Sequence, residues 1–198
     1  MIATIIKMES PLPSFQEHQA IGSKYGPLGF AVVTMSDSRT TETDASGKSI
    51  SEAVSAAGHR VARYAIVKDD PARIKSELLA ALADPKVAIV VTNGGTGVSL
   101  RDNAYETIVG LLDKRLDGFG ELFRMLSYGE IGAAAMLSRA VGGIARGKVV
   151  FSLPGSTKAV KLGMEKLILP QAGHLYFELQ KHADLPHTNS AGEDTKQN

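Results

Sequence analysis

Val87-Ala-Ile-Val-Val-Thr-Asn-Gly-Gly-Thr-Gly97 joins an unbroken apolar run to a turn dense in glycine. An apolar run that does not alternate marks a strand buried on both faces, as in a parallel sheet covered by helices. The glycines that follow cost backbone entropy, so a tight turn or a close backbone approach must require them. Such a turn can aim several N–H groups at one point, which suits a phosphate or a carboxylate. A sharp strand-to-helix connection with no ligand would use the same residues. The string is no dinucleotide fingerprint, because no glycine follows Gly95-Thr96-Gly97 at the required spacing.

Upstream, Leu28-Gly-Phe-Ala-Val-Val-Thr-Met35 repeats the continuous apolar pattern, and a polar loop over 36–47 follows it. Ile50, Ala53, Val54 and Ala57 keep helical spacing up to Gly58, a natural stop. Residues 61–67 read as a strand. Asp70 before Pro71 reads as a helix cap, with Ile74, Leu78, Ala81 and Leu82 forming one apolar face. Downstream, Ile108, Leu111 and Leu112 mark one helix, and Leu122, Phe123 and Leu126 another. Residues 148–153 form a late strand ending at Pro154-Gly155-Ser156, followed by a helix through Leu162, Glu165 and Leu167. Alternating strands and helices predict an α/β fold, a three-layer αβα arrangement with a mostly parallel central sheet.

The chain of 198 residues divides into an arm (1–27), one domain (28–182) and a tail (183–198) whose only large apolar side chain is Leu185. Lys+Arg 22 against Asp+Glu 21 gives a net charge of +1, without the basic excess that a general grip on nucleic acid or acidic membrane requires. With Cys 0, disulfides, thiolate catalysis, iron–sulfur clusters and cysteine zinc sites are excluded. No apolar run approaches the ~18 residues of a membrane span, and Met1 to Ile6 has no basic lead-in or cleavage site. A cytoplasmic protein is expected.

Ligands of open parallel sheets sit beyond the carboxyl ends of the strands. That rule singles out Ser36-Asp37-Ser38-Arg39, Lys68-Asp69-Asp70, the stretch from Gly94 to Asp102, and Pro154-Gly155-Ser156. Asp69 is not needed for the cap that Asp70 supplies, so it is available to point across the rim. Asn103 with Glu106 resembles a capping box, which would release Asp102 for a metal or a substrate; a solvated loop acid is the alternative for both. Gly142-Gly-Ile-Ala-Arg-Gly147-Lys148 imitates a phosphate loop, but Val149 stands where Ser or Thr is needed and a strand follows. Gly147-Lys148 therefore reads as a turn. The histidines lack metal-site spacing and read as structural or surface residues.

Together these loops resemble the MoaB/MogA family of molybdenum cofactor biosynthesis, the molybdopterin adenylyltransferase-like proteins. The matching pieces run in order: Thr34-Met-Ser-Asp-Ser-Arg39, Asp44-Ala-Ser-Gly47, Ile66-Val-Lys-Asp-Asp70, Thr92-Asn-Gly-Gly-Thr-Gly97 and Arg101-Asp102. Gly118-Phe-Gly-Glu-Leu-Phe-Arg124, Leu126-Ser-Tyr128, Glu130-Ile-Gly132, Leu137-Ser-Arg-Ala140 and Leu153-Pro-Gly-Ser156 complete the series. The stretch from Gly118 to Ala140 looks more like the MoaB branch. Two places depart from many relatives: Lys68 stands where proline precedes the acid, and Asn103-Ala-Tyr-Glu106 replaces Val-Thr-Pro-Glu.

The resemblance implies a molybdopterin-binding fold and adenylylation of the molybdopterin terminal phosphate by ATP, with release of pyrophosphate. A molybdopterin-binding paralogue without that activity is the alternative. It implies Asp69 and Asp102 as catalytic acids holding Mg2+, and Gly94, Gly95, Thr96 and Gly97 as a cradle for the phosphates. Ser36 and Asp37 would line the nucleotide side, while Ser138, Arg139, Pro154, Gly155 and Ser156 would seat the pterin and its phosphate. Glu121 reads as an exposed helix residue, with the cleft as its alternative. A homo-oligomer is implied, trimer or hexamer, and other proteins of the same biosynthesis are implied as partners; the apolar Met1 to Ile6 arm could lie across such an interface.

Overall fold

The computed structural model describes residues 26–181. The tail and all of the arm except Gly26 and Pro27 lie outside the described residues, as do His18, His182 and His187.

Six strands form one sheet, in the order β2 (Arg60–Val67), β1 (Gly29–Met35), β3 (Ile89–Asn93), β6 (Lys148–Leu153), β5 (Val141–Ala145) and β4 (Lys114–Arg115). The parallel part contains β1, β2, β3 and β6. β1 and β3 lie side by side, Thr34 opposite Asn93, so their carboxyl ends open onto one rim. Both strands are buried along their whole length, as their unbroken apolar pattern requires.

Helices cover both faces. On one, α1 (Ala45–Ala56) contributes Ile50 and Val54, while α4 (Asp117–Ile131) contributes Phe119 and Phe123. The same layer holds α5 (Thr157–Gly163), a π turn over Met164–Ile168 and α6 (Leu169–Gln180). On the other face, α2 (Pro71–Ala83) packs Ile74, Leu78, Ala81 and Leu82 beside Ala104 and Ile108 of α3 (Ala104–Val109). Asp70 caps α2 as expected, its carboxylate accepting from the Arg73 N–H at 2.9 Å.

Several boundaries differ from the sequence reading. α1 begins at Ala45, inside the segment read as loop, because Asp44 caps it by accepting from the Gly47 N–H at 2.9 Å. α3 stops at Val109, before Gly110, and Leu111 and Leu112 lie beyond it in a turn. Leu122 is 47% exposed, on the outer side of α4.

The antiparallel corner is the part the sequence did not announce. β5 (Val141–Ala145) pairs with β6 and with the short β4 (Lys114–Arg115). Its Gly142 lies against Phe151, where a Cβ would come within 2.9 Å of the ring, and Phe119 stacks on Phe151 at 4.7 Å. Arg146 and Gly147 both take positive φ (49° and 73°) in the two-residue turn between β5 and β6, the geometry of a tight hairpin. Gly147-Lys148 is thus a turn into a strand, and no phosphate loop exists there.

Candidate functional site

The glycine loop leaves the centre of the sheet, and each glycine has its own structural requirement. Gly94 has φ 92°, and a Cβ there would meet the Met35 carbonyl oxygen at 2.3 Å. Gly95 has φ 62°, with Asp69 Oδ2 at 2.4 Å from the position of a Cβ and the Ala104 methyl at 2.7 Å. Gly97 lies under Asp102, whose Oδ2 would be 2.6 Å from a Cβ. Glycine is needed here chiefly because the two rim acids stand against the loop backbone.

Those acids are held by backbone donors. Asp69 Oδ1 accepts from the Asn103 N–H at 3.1 Å, and Asp102 Oδ2 accepts from the Ser99 N–H at 2.9 Å. Burial pushes the Asp69 carboxyl above its usual range; the Asn103 N–H opposes this, while the charges of Asp102, Asp37 and Glu106 reinforce it. The capping box read over Asn103 and Glu106 does not form. Asn103 is in a helical conformation rather than the extended one a cap needs, and its amide donates to the Arg101 carbonyl at 3.0 Å. Glu106 instead pairs with Arg139.

Arg139 closes the back of the loop. Its Nε donates to the Thr96 carbonyl at 2.9 Å, Nη2 to the Gly97 carbonyl and Nη1 to Glu106, while the guanidinium lies 4.8 Å from the centre of the Tyr105 ring. Among the described residues, the N–H groups of Gly95, Thr96 and Gly97 make no hydrogen bond, whereas that of Gly94 donates to Leu153 O at 3.1 Å.

A cleft of about 390 Å³ opens beside these donors. Gly94 to Gly97, Asp102, Ser138 and Pro154-Gly155-Ser156 line it, with Phe123, Ile131 and Leu137 on the apolar side. The Ser138 hydroxyl is buried in its wall with no hydrogen-bond partner. Ser156 Oγ accepts from the Ala159 N–H as the cap of α5 and keeps its O–H as a donor. Gly155 lies within van der Waals reach of Gly94, so the two turns touch.

Ser36 and Asp37 line a separate hollow of about 340 Å³ with Arg39, Thr40, Thr41 and Lys68. Asp37 bridges the two regions: Oδ1 accepts from the Asp69 N–H at 3.4 Å and Oδ2 pairs with Arg101 at 3.3 Å. Glu121 faces neither; it is exposed and edges a smaller hollow with Arg115 and Arg124. His59 is structural, stacked at 5.3 Å on Phe30, with Nδ1 accepting from the Leu28 N–H.

Two supporting residues escaped the sequence reading of roles. Asp44 is 2% exposed and its carboxylate is fully used, accepting from Thr34 Oγ1 and the Tyr64 hydroxyl at 2.6 Å each and from Gly47. Asn93 in turn donates to Thr34 Oγ1, tying the ends of β1 and β3 together. Ser46 Oγ donates to the Gly155 carbonyl at 2.8 Å and so fixes the Pro154-Gly155-Ser156 turn. Both lie in Asp44-Ala-Ser-Gly47, a helix-start pattern whose signal was local and whose long-range partners were not.

Residues 31–174 match the family described as the probable molybdopterin binding domain. Molybdenum cofactor biosynthesis protein B of Bacillus cereus is 55% identical over 151 residues, covering 76% of this chain and 89% of that protein. A crystal structure of molybdenum cofactor biosynthesis protein B superposes with a TM-score of 0.77 at 53% identity, over 78% of this chain and 97% of the other. The tungsten cofactor synthesizing protein MoaB from Pyrococcus furiosus superposes at 0.69 with 41% identity, over 79% and 97%.

Proposed function

The chain belongs to the molybdopterin-binding domain family of molybdenum cofactor biosynthesis, and on that premise we propose that it transfers an adenylyl group from ATP to the terminal phosphate of molybdopterin. One observation carries the reading. The N–H groups of Gly95, Thr96 and Gly97 and the buried Ser138 hydroxyl have no acceptor among the described residues, and they border one cleft beside two carboxylates. A buried hydroxyl left without a partner is costly, and an anion with several oxygens satisfies it together with the loop N–H groups.

In the reaction, an oxygen of the molybdopterin phosphate bonds to the α-phosphorus of ATP while the bond from that phosphorus to the bridging oxygen breaks and pyrophosphate leaves. The nucleophile is already an anion, so the chain's task is to hold two negative groups together and stabilise the leaving charge. The loop N–H groups and Ser138 would take the phosphate oxygens. Ile131 and Leu137 offer apolar surface for the pterin, and Pro154-Gly155-Ser156 lines the same cleft. Ser36 and Asp37 mark the nucleotide side.

Asp69 and Asp102 are the residues that would hold Mg2+. Two carboxylates suit an ion that keeps several waters and takes its other ligands from substrate phosphates. When bound, it supplies neutralisation of the phosphate charge. ATP and molybdopterin are then the partners of the site, in the cytoplasm. Self-association into a trimer or hexamer is part of the same reading; Met125, Tyr128 and Met136 are exposed side chains outside the cleft that suit it.

A molybdopterin-binding protein without turnover is the second reading. It draws on Asn103, which leaves α3 without a side-chain cap, and on the Tyr105 ring beside the loop. The test is adenylyl-molybdopterin formation from molybdopterin, ATP and Mg2+, with Asp102→Asn as control. Product that vanishes in the control is expected. Tight molybdopterin binding without product would favour the second reading, and absence of both would overturn the functional reading altogether.

A further inference from the structure

We propose that Arg139 is a positioning residue, which holds the Thr96 and Gly97 carbonyls from behind so that the Gly97 N–H is presented to the bound phosphate. Glu106 and Tyr105 set the guanidinium for that task. The inference rests on the phosphate-binding reading above and departs from the sequence-based role of Arg139 as a direct contact to the substrate.

The geometry of the peptide carries the argument. In a trans peptide the C=O and the following N–H point in opposite directions. The Thr96 carbonyl shares its peptide with the Gly97 N–H. A donor that fixes this carbonyl from one side therefore directs the N–H to the other. Arg139 does so with Nε at 2.9 Å, and its Nη2 holds the next carbonyl, so two successive peptide planes are set by one rigid fork. A cationic donor on the carbonyl also polarises the peptide and strengthens its N–H as a donor.

Three of the five guanidinium N–H groups are committed. Nε, Nη1 and Nη2 all have partners, and Arg139 does not line the cleft. Glu106 anchors one edge, and the Tyr105 face supports the plane at 4.8 Å. Tyr105 thus has a function at a position where this chain departs from many relatives, beside a Glu106 that it shares with them.

Glu106→Ala separates this role from direct contact, because the two predict opposite signs. Removing a carboxylate near a phosphate site, and freeing Arg139, should tighten anion binding if the guanidinium touches the ligand. If Arg139 acts through the loop, losing its anchor should weaken binding. The probe is molybdopterin alone, without ATP, titrated calorimetrically. The expected result is a Kd raised about threefold to tenfold, with the Gly97 amide resonance shifted and the rest of the spectrum preserved. Arg139→Lys keeps the charge but cannot span two carbonyls, so its Kd should rise about tenfold. An unchanged or lower Kd for Glu106→Ala would overturn the proposal. Wild-type protein with no affinity for molybdopterin would instead remove the functional reading. The Gly97 amide of the ligand-free protein then decides alone: its resonance must move in Arg139→Lys, and if it does not, the proposal fails.

Discussion

Two loops leave the carboxyl ends of the neighbouring strands β1 and β3, and they are built on opposite plans. The loop after β1 is bonded largely within itself, its outside ties being the Ser36 N–H on the Val67 carbonyl and Asp37 on Asp69 and Arg101. Ser36 Oγ accepts from the N–H groups of Ser38 and Arg39, Thr43 Oγ1 accepts from the Thr40 N–H, and the Thr40 and Thr41 hydroxyls donate to Glu42. The loop after β3 closes its far end on itself through Ser99 and Asp102, but its glycine turn is held by residues far away in sequence: the Leu153 carbonyl, Asp69 behind Gly95, and Arg139 on two carbonyls. The first loop spends the N–H groups of Ser38, Arg39, Thr40, Thr43 and Asp44 on its own residues. A loop clamped from outside keeps its shape while its own N–H groups stay available. The difference explains why the second loop is suited to an anion.

The sharpest way to break this contrast is at the acids of the second loop. Asp102→Asn keeps an oxygen for the Ser99 N–H but loses the charge that would hold Mg2+. Adenylyl transfer should fall by at least ~100-fold, about 2.7 kcal/mol of lost metal assistance, with no change in Tm. Retained turnover would remove Asp102 from the chemistry. Gly95→Ala comes next. Its positive φ and the contacts waiting for a Cβ should together cost roughly 2–5 kcal/mol, read as a Tm lowered by about 5–15 °C and as lost molybdopterin binding. A variant of normal stability would mean that Asp69 does not stand where the loop requires glycine.

A smaller effect of opposite sign is expected at Asp69. Its raised pKa means that the folded state binds this proton more tightly than the unfolded chain does. Stability is therefore lost as pH rises from the ordinary carboxylate range, about 4, through the raised value. Asp69→Asn, whose amide oxygen can still accept from Asn103, should melt higher than wild type at pH 7, and the difference should vanish below about pH 4. A variant less stable at neutral pH would contradict the cause given for the shift. Smallest of all is Thr41→Ala in the self-bonded loop, expected within ±0.5 kcal/mol in stability and less than twofold in molybdopterin affinity. A large loss there would erase the contrast.

The same two plans decided what the sequence could reveal. Continuous apolar runs made β1 and β3 legible, and the strand-end rule then gathered Asp69, Asp102, the glycines and the Pro154-Gly155-Ser156 turn. β5 was not legible because its glycines, which leave room for Phe151 at Gly142 and for the Lys114 carbonyl at Gly143, carry no strand propensity. Asp44 looked like one more polar loop residue, since the partners that bury it, Thr34 and Tyr64, are distant in the chain. The Asn103 cap failed for a related reason. Local spacing proposed it, and the Asp69 carboxylate from another loop took the Asn103 N–H while Arg139 took Glu106.

The most direct test follows the loop amides themselves. Wild-type protein would be titrated with molybdopterin in the absence of ATP while the backbone N–H resonances of both loops are recorded. The Gly95, Thr96 and Gly97 amides should move downfield together and saturate with the binding curve, while those of residues 38–43 stay in place. Binding that moved the amides of 38–43 and left 95–97 unchanged would contradict the claim that the glycine loop receives the phosphate.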